Sequence, residues 1–237
     1  MSRETFTLDG QDIPFEQGQT IMQAAMAAGV YIPRLCYHPD LKPHGSCKLC
    51  TVKVNGRQAS SCTYQARDGL AVESNTEELN GERRSLLQML FVEGNHFCPS
   101  CEASGNCQLQ ATAYELEMMT AHYDHFYPDR PLDASHPEYL LDFNRCILCS
   151  LCVRASRDVD GKNVFALSGR GIGSRLIVNS ASGLLADTDF SGTDKAAHVC
   201  PVGVILKKRV GFAVPLGQRK YDTQPISDLP KPGIEEN

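Results

Sequence analysis

Residues 144–154 read NRCILCSLCVR, and 47 residues separate the last cysteine of this run from a Cys-Pro pair at position 200. Three cysteines spaced by two residues, followed by a distant Cys-Pro, are typical of ferredoxins that bind a four-iron cluster. Zinc sites use paired cysteines at such spacings instead. No second set of cysteines with this spacing exists in the chain, so we predict one [4Fe–4S] cluster held by Cys146, Cys149, Cys152 and Cys200.

A second cysteine pattern lies nearer the N-terminus and contains Cys36, Cys47, Cys50 and Cys62, separated by ten, two and eleven residues. One close pair with two outlying partners suits a [2Fe–2S] cluster, although the first gap is longer than in plant-type ferredoxins. The small residues at 45–46 let backbone N–H groups turn toward cluster sulfur atoms. A structural zinc site with four thiolate ligands is the alternative at this group.

The remaining cysteines, Cys98, Cys101 and Cys107, leave a four-iron cluster one ligand short. His96 precedes them by two residues and is the predicted fourth ligand of a second [4Fe–4S] cluster. An imidazole in place of a thiolate removes a negative charge and raises the reduction potential. The three groups together use all 11 cysteines of the chain.

Composition narrows the class of protein. The chain has 237 residues, of which 42% are hydrophobic and 22% charged, the balance of an ordinary globular protein. A net charge of −5 argues against a nucleic-acid partner. We expect no signal peptide and no membrane span, because no apolar run is long enough. The expected location is the cytoplasm, where thiols stay reduced and cysteines serve metals more often than disulfides.

The N-terminal residues 1–77 are predicted to form a β-grasp, ferredoxin-like domain. A strand at Thr5–Leu8 runs into an Asp-Gly turn, and a strand at Thr51–Val54 runs into an Asn-Gly turn, which are both hairpin signals. Between them, a helix is expected from Ile21 to Ala28, with Thr20 as its N-cap.

The rest of the chain is predicted to form a helical domain over 78–120 and a ferredoxin-like domain over 138–215. In the first, one helix begins after Thr76 and ends at Gly94, and another runs over 107–119. A connector is expected over 119–143, two strands at 164–167 and 175–179 around a glycine-rich turn, and a polar tail over 216–237. The predicted fold class is therefore α+β.

The cysteine motifs, in this order, resemble one known family. They are similar to the N-terminal part of the large iron–sulfur subunit of respiratory complex I and to the equivalent modules of [FeFe]-hydrogenases. In that family the histidine stands four residues before its first cysteine, where this chain has Gly94. The motifs that carry the resemblance are RLCY at 34–37, GSCKLC at 45–50, CPSC at 98–101, GNCQLQ at 105–110, RCILCSLCVR at 145–154 and CP at 200–201.

Because the chain ends soon after the third group, it resembles most the small diaphorase subunit of NAD-reducing [NiFe]-hydrogenases. The resemblance implies an electron relay between an FMN- and NAD(H)-binding diaphorase subunit and the small and large [NiFe]-hydrogenase subunits, in the reaction H2 + NAD+ = NADH + H+. FMN and NAD are expected on the partner, and no residue of this chain is expected to be catalytic. The resemblance also implies that the two [4Fe–4S] clusters carry the main path, with the [2Fe–2S] cluster as a side branch or first acceptor.

Two alternatives remain open from the sequence. The same relay role could belong to a complex I-like or formate dehydrogenase assembly. A more distant alternative is a zinc-binding structural or interaction module.

Overall fold

The N-terminal part of the chain is built on a five-stranded sheet in a computed structural model that describes residues 4–228. The sheet has the order β2-β1-β5-β3-β4, in which β5 is the middle strand, flanked on each side by an antiparallel hairpin and parallel to its neighbour β1. Both hairpins predicted from the sequence are present. The strands are β1 at Thr5–Leu8, β2 at Gln11–Pro14, β3 at Thr51–Val54, β4 at Arg57–Ser60 and β5 at Ala71–Glu73.

One helix, α1 at Ile21–Ala27, packs across this sheet. The backbone N–H of Gln23 donates to Thr20 Oγ1 at 3.2 Å, and the backbone N–H of Thr20 donates to the Gln23 side chain at 2.8 Å. This reciprocal cap confirms Thr20 as the predicted N-cap. Ile21 and Met22 are fully buried, so the helix covers one face of the sheet.

Two further helices follow, α2 at Glu77–Glu93 and α3 at Gln108–Glu115. Helix α2 has the predicted bounds, since Thr76 caps its start and Gly94 ends it. Helix α3 is shorter than the predicted 107–119. It ends early because Glu117 takes a left-handed conformation with φ of 56°, and the N–H of Met118 then donates to the carbonyl of Ala113.

The C-terminal part contains helix α4 at Leu151–Asp158, a three-stranded sheet and a separate hairpin. The predicted connector over 119–143 is wrong in part, because its last residues supply two strands of that sheet, in the order β10-β7-β6. The glycine-rich turn joins an antiparallel pair, as predicted. The strands are β6 at Leu132–Asp133, β7 at Tyr139–Asp142, β8 at Phe165–Ser168, β9 at Arg175–Val178 and β10 at Ile205–Lys207.

Apolar side chains form two cores. One lies between α1 and the five-stranded sheet. The larger one gathers residues from every other part, including Leu35 and Leu49 from the loops of the first domain, Leu109 from α3 and Leu141 from β7. Cysteines of all three groups pack against this larger core. The mixed helix and sheet content confirms the α+β class.

The segment after residue 216 differs from the predicted polar tail. The N–H of Tyr221 donates to the carbonyl of Gly105 at 2.9 Å, Ile226 is buried, and Ser227 donates to Glu115 at 2.9 Å. The sequence conceals this docking because a single apolar residue among polar ones and prolines carries no periodicity. Residues 229–237 of the predicted tail lie outside the described residues.

Between residues 4 and 228, the helices are all too short or too polar to cross a lipid bilayer.

We expect Leu141→Ala to lower the free energy of unfolding by about 2–5 kcal/mol, because Leu141 is fully buried in the middle strand of its sheet. Leu132→Ala, on the edge strand of the same sheet, is the matched control. Its side chain is 62% exposed, so a change below about 0.5 kcal/mol is expected. Urea denaturation followed by circular dichroism measures both, and equal losses would contradict the placement of the core.

Candidate metal centres

The structure brings the four cysteines of the first group together as two close pairs. Cys50 and Cys62 have their sulfur atoms 3.3 Å apart, and the backbone N–H of Cys47 donates to Cys36 Sγ at 3.5 Å. Cys36 lies in the loop after α1, while the other three flank the β3–β4 hairpin. The hairpin and the loop after α1 thus present thiols from two sides to one site.

Within each pair, one thiol is readily deprotonated. A hydrogen bond from Cys47 lowers the pKa of Cys36 to about 4, against the opposing effect of burial. A hydrogen bond from Cys62 likewise lowers the pKa of Cys50 to about 7. Thiolate is the form of cysteine that binds metals, so the arrangement favours metal ligation.

The third group lines an apolar cavity beside α4. All four cysteines, Cys146, Cys149, Cys152 and Cys200, reach this cavity. Burial raises the pKa of each thiol, that of Cys146 to about 11, because the apolar surroundings disfavour free thiolates. Four thiolates placed here therefore require bound cations, which is what the iron ions of a cluster supply. The other residues that line the cavity are Ile147, Leu148, Ser150, Leu167, Leu176, Val202 and Val204.

Backbone amides supply part of the stabilisation that the apolar side chains do not. The N–H groups of Leu148, Leu151 and Val202 act on Cys146, Cys149 and Cys200 respectively, and each favours the thiolate form against the larger effect of burial. In all three cases the donor lies two residues after the cysteine. Such N–H···S hydrogen bonds are among the interactions that set the potential of iron–sulfur clusters.

Left-handed residues recur inside the cysteine loops. Lys48 has φ of 59°, Leu148 of 53° and Ser150 of 60°, and each stands between two predicted ligands. This conformation is costly for residues other than glycine. It turns successive N–H groups toward one point, which is the backbone geometry of anion-binding loops. Sequence reasoning missed these positions because none of the three is a glycine.

The second group is gathered around the loop between α2 and α3. Burial and the charge of Cys101 raise the pKa of Cys98, and burial, Cys101 and Cys98 raise the pKa of Cys107 to about 12. The three sulfur atoms are thus electrostatic neighbours. Cys98 and Cys107 are partly buried, and the loop is closed by the N–H of Cys101 donating to the carbonyl of Cys98 at 3.2 Å.

The side chain of His96 packs between Phe91 and Gly94, in a position that we call the His96 seat. Its ring packs edge-on against Phe91 with centroids 5.6 Å apart, and a Cβ placed on Gly94 would come within 2.4 Å of its Nε2. Burial, followed by the charges of Arg145 and Arg130, lowers the pKa of His96 to about 4. The imidazole is therefore neutral at ordinary pH, which is the form that binds metals.

The Nε2 atom of His96 is buried and has no hydrogen-bond partner among the described residues. A buried polar atom without a partner is costly, and a metal ion would satisfy it. The charges that act on the ring belong to arginines and not to the three cysteines, and no hydrogen bond joins the ring to their thiols. Ligation by His96 therefore stays a prediction.

The described part of the chain contains no group of three or more histidine, cysteine or acidic side chains placed closely enough to bind a single metal ion. Each cysteine group is instead arranged around a loop, as pairs in the first group and around a cavity in the third.

The third group neighbours both of the others. Among the charges that act on Cys149, after burial and that of Cys200, is the thiolate of Cys36 from the first group. On the other side, Arg145 forms ion pairs at 2.7 Å with Asp142 and with Glu102, which follows Cys101 of the second group. The cysteine group nearest the C-terminus therefore lies next to both groups that precede it in the chain.

Buried and half-buried arginines around these loops are functional candidates that sequence reasoning missed. Arg83, Arg145 and Arg154 each bind backbone carbonyls or carboxylates next to predicted ligands. Arg145 directly precedes the 146–152 cysteine run, and Arg154 follows it by two residues. That adjacency was the available signal, but an arginine beside a cysteine is more often exposed than buried.

Three family models match the chain, and each matched range contains one cysteine group. A 2Fe-2S iron-sulfur cluster binding domain matches residues 3–77, the NADH-ubiquinone oxidoreductase-G iron-sulfur binding region matches 83–122, and a 4Fe-4S single cluster domain matches 140–206. These matches confirm the prediction of an iron–sulfur protein with both [2Fe–2S] and [4Fe–4S] clusters.

Among curated proteins, the gamma subunit of the NAD-reducing hydrogenase HoxS of Cupriavidus necator is 43% identical over 93% of this chain and 94% of its own length. The mitochondrial NADH-ubiquinone oxidoreductase 78 kDa subunit of Candida albicans is 32% identical, and the NADPH-Fe(3+) oxidoreductase subunit alpha of Geobacter sulfurreducens is 31% identical. This chain spans only 31% and 24% of those two longer proteins, respectively.

A solved structure covers almost the whole chain. A chain in the crystal structure of an NAD+-reducing [NiFe]-hydrogenase in the H2-reduced state superposes with a TM-score of 0.93 at 54% identity. The match covers 97% of this chain and 98% of that one. The similarity therefore extends over the fold as a whole and not over one cysteine motif.

We expect Gly94→Ala to displace the His96 ring, because the new Cβ would lie 2.4 Å from Nε2. If His96 binds a cluster, iron content falls by about four atoms per chain while the other two clusters remain. Gly81→Ala is the matched control, since Gly81 lies within the helix that Gly94 ends and has nothing within 4 Å of a new Cβ. Iron and sulfide analysis measures both, and equal iron content in the two variants would contradict this seat.

Proposed function

This chain belongs to the family of the gamma subunit of NAD-reducing hydrogenase, and we propose that it is the iron–sulfur relay subunit of such a complex. It passes electrons between an FMN- and NAD(H)-binding diaphorase partner and a [NiFe]-hydrogenase partner made of a small and a large subunit. The observation that carries this proposal is the match to that gamma subunit over 93% of this chain and 94% of the subunit's own length. The proposed location is the cytoplasm.

We assign one cluster to each cysteine group. A [2Fe–2S] cluster is held by Cys36, Cys47, Cys50 and Cys62 within a β-grasp domain. One [4Fe–4S] cluster is held by Cys146, Cys149, Cys152 and Cys200 in the C-terminal ferredoxin-like domain. Support comes from the close thiol pairs of the first site, the four-cysteine cavity of the third and the family models over each range.

The second [4Fe–4S] cluster is assigned to Cys98, Cys101 and Cys107 with His96 as its fourth ligand. The unpartnered, buried and neutral Nε2 of His96 supports this assignment, as does its place two residues before Cys98. The domain bounds that we propose are 1–77, 78–120 and 138–215.

The chain itself performs no proton or group transfer. Its residues supply thiolates, direct N–H groups at sulfur atoms, and line the cavity of the third group with apolar side chains. The clusters, when bound, supply the one-electron chemistry, and the protein sets their potentials through ligand identity, hydrogen bonds and burial.

We infer that electrons cross the C-terminal cluster on their way between the other two. This site neighbours the first group through Cys149 and Cys36, and the second group through the Arg145–Glu102 ion pair. The last cluster along the chain is thus the middle one in space.

A place in a complex I-like or formate dehydrogenase assembly is the second candidate. Relatives of the complex I type match this chain over most of its length, yet it spans less than a third of theirs. The zinc-module alternative has no support from the family models.

The reconstituted chain is expected to contain about ten iron atoms. His96→Ala should alter or remove the electron paramagnetic resonance signal of one [4Fe–4S] cluster only, while His96→Cys should keep that cluster and lower its potential, because a thiolate adds negative charge. His122→Ala, in an exposed segment, is the control. A colourless protein with zinc and no sulfide would overturn the cluster assignment, and an unchanged spectrum in His96→Ala would remove His96 from the ligands.

The relay role predicts separable activities in the native complex. Cys149→Ser should lower hydrogen-dependent NAD+ reduction at least tenfold, because it removes a ligand from the middle cluster. Hydrogen-dependent and NADH-dependent reduction of artificial dyes should each persist, since these reactions use the partner subunits. A purified native complex that contains no hydrogenase subunits, and that reduces NAD+ with formate and not with hydrogen, would favour the second candidate instead.

A further inference from the structure

Arg154 is a buried cation without a carboxylate partner. Its side chain, on α4 two residues after Cys152, is only 6% exposed. Among the residues that the structure describes, no carboxylate lies within ion-pair distance of its guanidinium. The charge of Arg154 does act on the exposed carboxylate of Asp158, but Asp158 is already bound by Arg157 at 2.7 Å.

All partners of Arg154 are backbone carbonyls, and they come from two domains. Nη2 donates to the carbonyl of Cys36 and Nη1 to that of Lys42, both at 2.6 Å. Nε donates to the carbonyl of Ser150 at 3.3 Å. The guanidinium thus lies between a ligand residue of the first site and the loop between two ligands of the third.

A buried charge of this kind needs compensation, and carbonyl dipoles supply only part of it. The two sites that flank Arg154 are those whose ligands are all thiolates. A cluster with four thiolate ligands is anionic, and reduction adds a further negative charge. The negative charge that balances the guanidinium of Arg154 therefore comes from the two clusters and not from a carboxylate side chain.

From this geometry we propose that Arg154 is a positioning residue that serves as a shared counter-charge for the [2Fe–2S] and the middle [4Fe–4S] clusters and raises both reduction potentials. The inference rests on the proposed cluster assignments. A fixed positive charge stabilises the more negative, reduced state more than the oxidised state. Because one guanidinium lies beside both sites, it raises the reduction potentials of both clusters together.

Two other arginines differ in ways that the proposal uses. Arg83 is also buried without an ion pair, but its Nε and Nη2 donate to the carbonyls of Leu49 and Thr51, which flank Cys50 alone. Its charge should act on the [2Fe–2S] cluster only. Arg157, three residues along α4 from Arg154, is exposed and paired with Asp158, so it should act on neither.

The test is a redox titration of the full chain with its clusters, followed by electron paramagnetic resonance. Arg154→Gln should lower the potentials of the [2Fe–2S] and middle [4Fe–4S] signals and leave that of the second [4Fe–4S] cluster in place. Arg154→Lys keeps the charge and should restore most of both shifts. Arg83→Gln should lower the [2Fe–2S] potential alone, and Arg157→Gln should change no potential.

Iron and sulfide content is measured on each sample, so that missing clusters in the unmodified protein count against the assignments and not against Arg154. Unchanged potentials in Arg154→Gln, a shift of one cluster only, or an equal fall of all three would overturn the proposal. If the glutamine variant loses clusters, Arg154→Lys decides. Retained clusters with wild-type potentials support a role of the charge, and losses in both variants show a purely structural role.

Discussion

An anionic cluster inside a protein requires its surrounding loops to turn N–H groups inward, against the usual backbone preferences. The left-handed residues Lys48, Leu148 and Ser150 show this requirement at two of the three sites. Each such residue costs about 1–2 kcal/mol. The loops can hold this conformation because their neighbours Leu49 and Leu151 are anchored in a core, so packing and the site geometry depend on each other.

The three sites also define how the domains meet. Loops of the N-terminal domain contribute Leu35 and Leu49 to the large core that α3 and β7 share. Arg83 and Arg154 then hold the carbonyls of the first cysteine loops from α2 and α4, respectively. Because the domains touch through their ligand loops, the distances between sites are set by the same contacts that stabilise the fold.

Sequence patterns were sufficient for what is local and periodic. The capped helices α1 and α2, both N-terminal hairpins and the three cysteine groups follow from turn residues, cap residues and spacing. The sequence did not predict where α3 ends, because Glu117 replaces the usual glycine. It did not predict β7 either, because this strand pairs with β10, which is distant in sequence. The position of His96 depends on Gly94, which leaves room for the ring of a residue two positions later. The contacts of Arg154 depend on a loop more than a hundred residues earlier. Neither contact can be predicted from the spacing of residues in the sequence.

The central position that we propose for the last cysteine group has a consequence for biogenesis. A chain leaves the ribosome from its N-terminus, and domains fold roughly in that order. The N-terminal sheet can therefore form early, whereas Cys200 and the β10 strand that pairs with β7 arrive only when nearly all of the protein has been made. Until then the site of the middle cluster lacks Cys200, and buried Arg154 has only one of its two neighbouring cluster sites complete. Assembly of the middle cluster thus waits until nearly the whole chain has been made, and a chain truncated before Cys200 would contain the outer sites without the link between them.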